Sequence, residues 1–158
     1  MMIGIEDVEA ARARIAPHVR LTPVYEATQA RDPLPVAASV VFKLELLQVT
    51  GSFKARGAMN RLLGARPDEI RAGIVTASGG NHGLAVARTA FAAGVPAVVY
   101  VPETVSPAKV DKMRKWGADV RIVGAEWAVS NEAALDYARS SGAAYFHPFA
   151  DPLVVAGQ

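Results

Sequence analysis

Two segments carry side chains whose types and spacing could do chemistry. The first is Thr50-Gly51-Ser52-Phe53-Lys54-Ala55-Arg56-Gly57-Ala58, in which Lys54 stands at the start of a helix predicted over residues 53–63. A positive charge there opposes the helix dipole and lowers the cost of losing its proton. An amine that readily becomes neutral forms a Schiff base with an aldehyde. By position alone, Lys54 reads equally as a solvated surface charge. The second segment, Thr76-Ala77-Ser78-Gly79-Gly80-Asn81-His82-Gly83, follows an apolar strand and opens a helix. Its glycines let backbone N–H groups approach a ligand, and a helix start favours an anion. Ser78, Asn81 and His82 add side-chain donors. Neither the dinucleotide fingerprint nor the P-loop pattern fits, so the segment suits a small anion such as a carboxylate. A glycine turn with an asparagine cap is the competing reading.

These segments need elements to hold them. A first helix is predicted over 5–16, with Ile5, Val8, Ala11 and Ile15 at helical spacing and Pro17 at its end. Residues 21–35 hold three prolines and read as extended or looping chain. Val40–Leu44 reads as a strand, and Ser52 as the cap of the lysine helix. From residue 73 strands and helices alternate: strands 73–77, 97–101, 119–123 and one beginning at Tyr145, with helices 83–93, 107–116 and 126–140 between them. Ser106 before Pro107 is a structural helix start. That alternation predicts an α/β fold, a mostly parallel twisted sheet with helices on both faces. Ligands in such folds lie beyond the carboxyl ends of the strands, which points to the segments after Ala77, Val101 and Val123. Residues 1–50 are assigned to a larger domain, 51–150 to a small α/β domain with the lysine helix at its edge, and 151–158 to the start of a further element. That last stretch, expected to find little to pack against, suggests a truncated chain.

Composition narrows the function classes. The net charge of +2, from 17 basic and 15 acidic side chains, is too even for a nucleic-acid binder. Lys112, Arg114 and Lys115 form a solvated helix face. Cysteine is absent and His18, His82 and His147 lie far apart, so no thiolate or histidine metal site is expected. No apolar run approaches the roughly 20 residues of a membrane span. The acidic N-terminal sequence lacks signal-peptide features, so a cytoplasmic protein is expected.

Taken together, the motifs resemble the serine/threonine dehydratase (threonine ammonia-lyase) group of the tryptophan-synthase-beta-like pyridoxal-phosphate (PLP) enzymes. The similarity runs through Lys43-Leu44-Glu45, Gln48, Thr50–Ala58, Ala77–Gly83, Val101-Pro102, Gly117–Val120 and His147–Pro152 with Gly157-Gln158. It implies a three-layer fold in which Lys54 carries PLP, Phe53 packs near it and Asn81 bonds the ring oxygen. Ser78, Gly79, Gly80, Asn81 and His82, with their backbone amides, surround the carboxylate of an amino-acid substrate. Arg56 and Glu45 read as structural. The implied reaction converts threonine or serine to a 2-oxo acid and ammonia, in a homo-oligomer.

One departure bears on the choice within the group. Serine racemases carry a second serine where this chain has Gly79, which favours dehydration. Sulfhydrylases place a different sequence after the lysine. A racemase, a threonine synthase and a non-catalytic amino-acid-binding or pairing fragment remain as alternatives. No glycine-rich loop follows residue 83 to hold the PLP phosphate, so this chain alone is expected to bind PLP weakly.

Overall fold

The alternating strand and helix patterns fold as two layers of helices around one parallel sheet. The computed structural model describes residues 2–27 and 39–158. Helix α1 (Ile5–Ile15) is followed by β1 (Val24–Ala27) and β2 (Val40–Lys43), a two-stranded antiparallel pair. Then come α2 (Lys54–Leu63), β3 (Ile74–Ala77), α3 (Asn81–Ala93), β4 (Ala97–Val101), α4 (Pro107–Lys115), β5 (Asp119–Ile122), α5 (Trp127–Ser141), β6 (Ala144–Tyr145) and α6 (Pro152–Gly157). The sheet order is β5-β4-β3-β6, and every pairing within it is parallel.

Side chains alternate across this sheet, so its two faces bury two cores. Ile74, Val99, Val101 and Val120 pack against α2, α3 and α4 through Ala58, Leu62, Leu84, Val110 and Met113. Val75, Ala77, Val98 and Tyr100 face α5 through Ala134 and Tyr137. Each fully buried valine or leucine contributes about 1.5–3 kcal/mol, and these layers fix β3 and its carboxyl end firmly. Gly94 and Gly142 close α3 and α5 in left-handed conformation, which glycine adopts without the strain of a side chain.

Two sequence expectations hold with added detail and two change. The extended stretch 21–35 contains β1, whose side chains are exposed and show no burial period; its remainder falls outside the described residues. Ser52 is not the cap of α2: Phe53 takes that position, with no side-chain cap, and the Ser52 hydroxyl is buried without a partner among the described residues. The chain already curls one residue earlier, with the Ala55 amide on the Ser52 carbonyl, which carries the serine past the capping position. Ser106 does cap α4, but through its backbone alone. Finally, residues 151–158 have much to pack against. Asp151 accepts from the Leu153 and Val154 amides, and Val154 and Ala156 are buried where α6 meets α1 and α2.

Candidate active site

Lys54 is the first residue of α2, and its amine crosses to the far end of the chain. Nζ donates to the Pro148 carbonyl at 2.8 Å and to Gln158 Oε1 at 3.2 Å. Both partners are neutral, and burial holds the amine below the ordinary lysine range. The Phe53 ring lies 5.0 Å below the same nitrogen. Arg56 points elsewhere, making a two-pronged pair with Glu45 at 2.7 and 2.9 Å, shared by Thr22. That pair, helped by Lys43, holds the Glu45 carboxyl below its usual range despite partial burial.

The glycine-rich turn sits at the carboxyl end of β3, as the strand-end rule requires. Gly80 is the cap of α3 with no side-chain bond, so Asn81 is the first helical residue and not the cap. The first amides of α3 therefore have no intrahelical acceptor and face outward from the helix start. Ser78 Oγ accepts from the Gly80 amide at 3.2 Å, which tightens the turn. Gly83 is obligatory: a Cβ there would lie 2.1 Å from the Ser78 carbonyl oxygen. Gly79 is hemmed in by Val105 and Pro102, whose atoms would stand 3.1 to 3.3 Å from an added Cβ.

His82 occupies the first turn of α3 but turns away from solvent. It is 3% exposed, and Nε2 lies 3.1 Å from the Phe146 carbonyl. Burial pushes its pKa down to about 4, so the ring is neutral at physiological pH. Lys54 and His147 lie near enough to lower it further, and Asp151 opposes them. The imidazole is thus no cation for an anion to pair with.

Several contributors escaped sequence reasoning. Trp127, at the start of α5, donates its indole N–H to the Ala77 carbonyl at 2.9 Å and packs against Phe149. His147 Nδ1 accepts from the Phe149 and Ala150 amides at 3.2 and 3.0 Å. Pro148 and Gln158 supply the acceptors for Lys54. The sequence pattern starts a strand at Tyr145, but β6 is only Ala144–Tyr145, so its carboxyl end and the residues beyond it come earlier than expected, at 146–149. The structure brings together Lys54, Phe53, His82 and the 146–149 segment, with Ser78–Asn81 at the neighbouring strand end.

The residues fit a PLP site on their own chemistry. A half-buried amine with a lowered pKa and carbonyl partners can give up its proton, and a helix start with open amides can receive a carboxylate. Among the described residues no helix is long and apolar enough to cross a membrane.

Comparisons with known proteins agree. L-threonine ammonia-lyase of Geobacter sulfurreducens is 38% identical over 151 residues, 96% of this chain and 37% of that protein. The solved structure of maize serine racemase matches with a TM-score of 0.88 at 30% identity, covering 99% of this chain and 47% of the other. The processed form of threonine deaminase isoform 2 from Solanum lycopersicum matches with a TM-score of 0.84 at 31% identity, over 97% of this chain and 43% of that one. This chain thus spans less than half the length of each of these relatives. The sheet and its helices have the tryptophan-synthase-beta-like architecture that the motifs implied. The family model described as pyridoxal-phosphate dependent enzyme matches residues 15–158, and the chain belongs to that family.

Proposed function

We propose that the protein containing this chain converts L-threonine or L-serine to a 2-oxo acid and ammonia, with PLP carried on Lys54. The water lost from the β-carbon is regained when the unsaturated product hydrolyses. The observation that carries the reading is the Lys54 amine: partly buried, lowered in pKa and bonded to two neutral oxygens beside the glycine-rich helix start. Phe53 and Asn81 complete the cofactor contacts, Phe53 by its ring and Asn81 by its amide group. Ser78, Gly79, Gly80, Asn81 and His82 take the substrate carboxylate, His82 through its main-chain amide since its ring is engaged elsewhere.

Bound PLP supplies an electron sink that stabilises negative charge at the substrate Cα. The chain supplies the rest. The α3 start orients the substrate by its carboxylate, so that one Cα–H bond faces the amine. Neutral Lys54 Nζ takes that proton, and a nearby donor protonates the departing β-hydroxyl. Trp127 holds the carboxyl end of β3 through its indole bond to the Ala77 carbonyl.

Gly79 supports dehydration over racemisation. It offers no base on the opposite face, and any side chain there would have to displace Val105. The reading extends to a cytoplasmic homo-oligomer with residues 1–50 in a larger domain, supported by the family resemblance. The test is borohydride reduction of the parent protein followed by peptide mass mapping, with product analysis from L-threonine. A PLP-sized adduct on Lys54 and accumulating 2-oxobutyrate are expected. D-Serine from L-serine without oxo acid would replace dehydration by racemisation. The 158-residue chain alone, spanning 37% of the Geobacter sulfurreducens relative, is expected to hold PLP weakly.

A further inference from the structure

One carbonyl outside the expected site collects two buried donors. Thr76, fully buried on β3, donates from Oγ1 to the Phe146 carbonyl at 2.7 Å. His82 Nε2 lies 3.1 Å from the same oxygen. A carbonyl can only accept, so this ring nitrogen carries the hydrogen and Nδ1 keeps a lone pair. That Nδ1 is buried with no partner among the described residues. The sheet ladder ends here: the Phe146 amide bonds Val75, and β6 has already stopped. Two residues further on, the Pro148 carbonyl receives Lys54. Proline has no N–H, so residue 148 has no amide anchor of its own. Its placement must come from neighbouring residues, and Phe146 is the one tied by side chains to β3 and α3.

We infer that Thr76 and His82 are positioning residues, clasping the Phe146 carbonyl and so holding the Pro148 carbonyl against the Lys54 amine. Their importance for turnover rests on the proposed role of Lys54; the clasp itself does not. It couples the glycine-rich turn to the lysine through 146–148. It also explains why a histidine at the start of α3 is buried and neutral rather than presented to an anion. The ionisable groups around this junction are Lys54 on α2, His82 on α3, His147 after β6, Asp151 at the start of α6, and Arg61 on α2, whose guanidinium lies 4.8 Å from the Phe146 ring and pairs with Asp151 and Glu69.

The test reads Lys54 directly, without turnover. In the parent protein freed of cofactor, the pH dependence of Lys54 acetylation is followed by mass spectrometry. Thr76→Val, close to isosteric but lacking the donor, is compared with Thr76→Ser, which keeps it. His82→Leu and His82→Gln form the second pair. Loosening 146–148 weakens one acceptor of the ammonium but admits water to the amine. Relief of the burial that lowers its pKa outweighs the lost contact, so Thr76→Val and His82→Leu are expected to raise the Lys54 midpoint toward that of ordinary lysine. Each unit of rise lowers labelling at neutral pH about tenfold. Thr76→Ser and His82→Gln should keep the wild-type midpoint. A folded Thr76→Val or His82→Leu protein with an unchanged midpoint overturns the inference, as does a raised midpoint in either donor-keeping variant. Should one of the donor-free variants not fold, the other carries the comparison. A wild-type protein that takes up no PLP overturns the proposed function but leaves this comparison intact. Unchanged midpoints in a protein that does bind PLP overturn only the clasp.

Discussion

The Lys54 amine and the Pro148 carbonyl meet at 2.8 Å across 94 residues of sequence. The contact joins the first residue of α2 to the loop that leaves β6. Among the described residues no carboxylate forms a salt bridge with Lys54. A carboxylate would hold the proton on the amine, whereas two neutral oxygens hold it less tightly. The geometry therefore suits an amine that must alternate between covalent attachment and proton transfer.

Replacing that amine should be decisive. In the parent protein, Lys54→Ala is expected to lose the borohydride-stable PLP adduct and to slow 2-oxobutyrate formation by at least about 10²–10⁴-fold, the range for loss of a general base. Lys54→Arg should behave alike, because guanidinium stays protonated. Persistence of the adduct at position 54's peptide in neither variant, yet at another lysine in both, would reassign the cofactor lysine.

Gln158 offers a finer test. Its side-chain oxygen accepts from the ammonium form of Lys54, so removing it favours the neutral amine. Gln158→Leu should lower the Lys54 acetylation midpoint, while Gln158→Glu, by adding a negative charge, should raise it. Equal midpoints in the two variants would mean that this contact does not reach the amine's titration.

His82 makes stability depend on pH. Its pKa falls from 6.5 in the unfolded chain to about 4 in the folded one, because burial disfavours the charged ring. Above pH 6.5 neither state binds the proton, and there is no cost. Below it the unfolded chain takes up a proton that the folded chain refuses, so stability declines as pH drops. The loss grows to about 3 kcal/mol by about pH 4 and then levels off. Urea midpoints between about pH 7 and pH 4 should show this slope in the wild type. His82→Gln should flatten it, even if it lowers stability throughout.

How much of this was legible beforehand follows the length of each pattern. The three long strand–helix repeats could be read because five apolar residues in β4 or a glycine-closed α3 are unambiguous. Lys54 and the Ser78–His82 turn stood out by residue type, and their order along the chain matched the family. The rest depended on contacts far apart in sequence. Nothing local marks Thr76 as a donor to Phe146, or Gln158 as a partner of Lys54. Likewise β1, with its side chains exposed, has no burial alternation for a sequence pattern to report. The burial of His82 was hidden for the same reason, since a histidine beside two glycines looks like a ligand until the strand beneath it is seen.

The seating of α6 on α2 joins packing to the lysine, because the two helices touch backbone to backbone. A Cβ on Gly157 would lie 2.6 Å from Asn60 Cβ and 2.9 Å from Gly57 Cα, and one on Gly57 would lie 2.5 Å from the Val154 carbonyl oxygen. Asn60 fastens the crossing by donating to the Leu153 carbonyl at 2.7 Å. Gly157→Ala must therefore push α6 away, at a cost of about 1–3 kcal/mol for overpacking. Gly57 lies three residues after Lys54, on the same side of α2. Gln158 directly follows Gly157, so the displacement should also carry its side chain off the amine. The expected signature is double: a lower urea midpoint with unchanged slope, and a Lys54 acetylation midpoint displaced from that of the wild type. A stability loss with the Lys54 midpoint unmoved would show that α6 supports the fold without reaching the lysine.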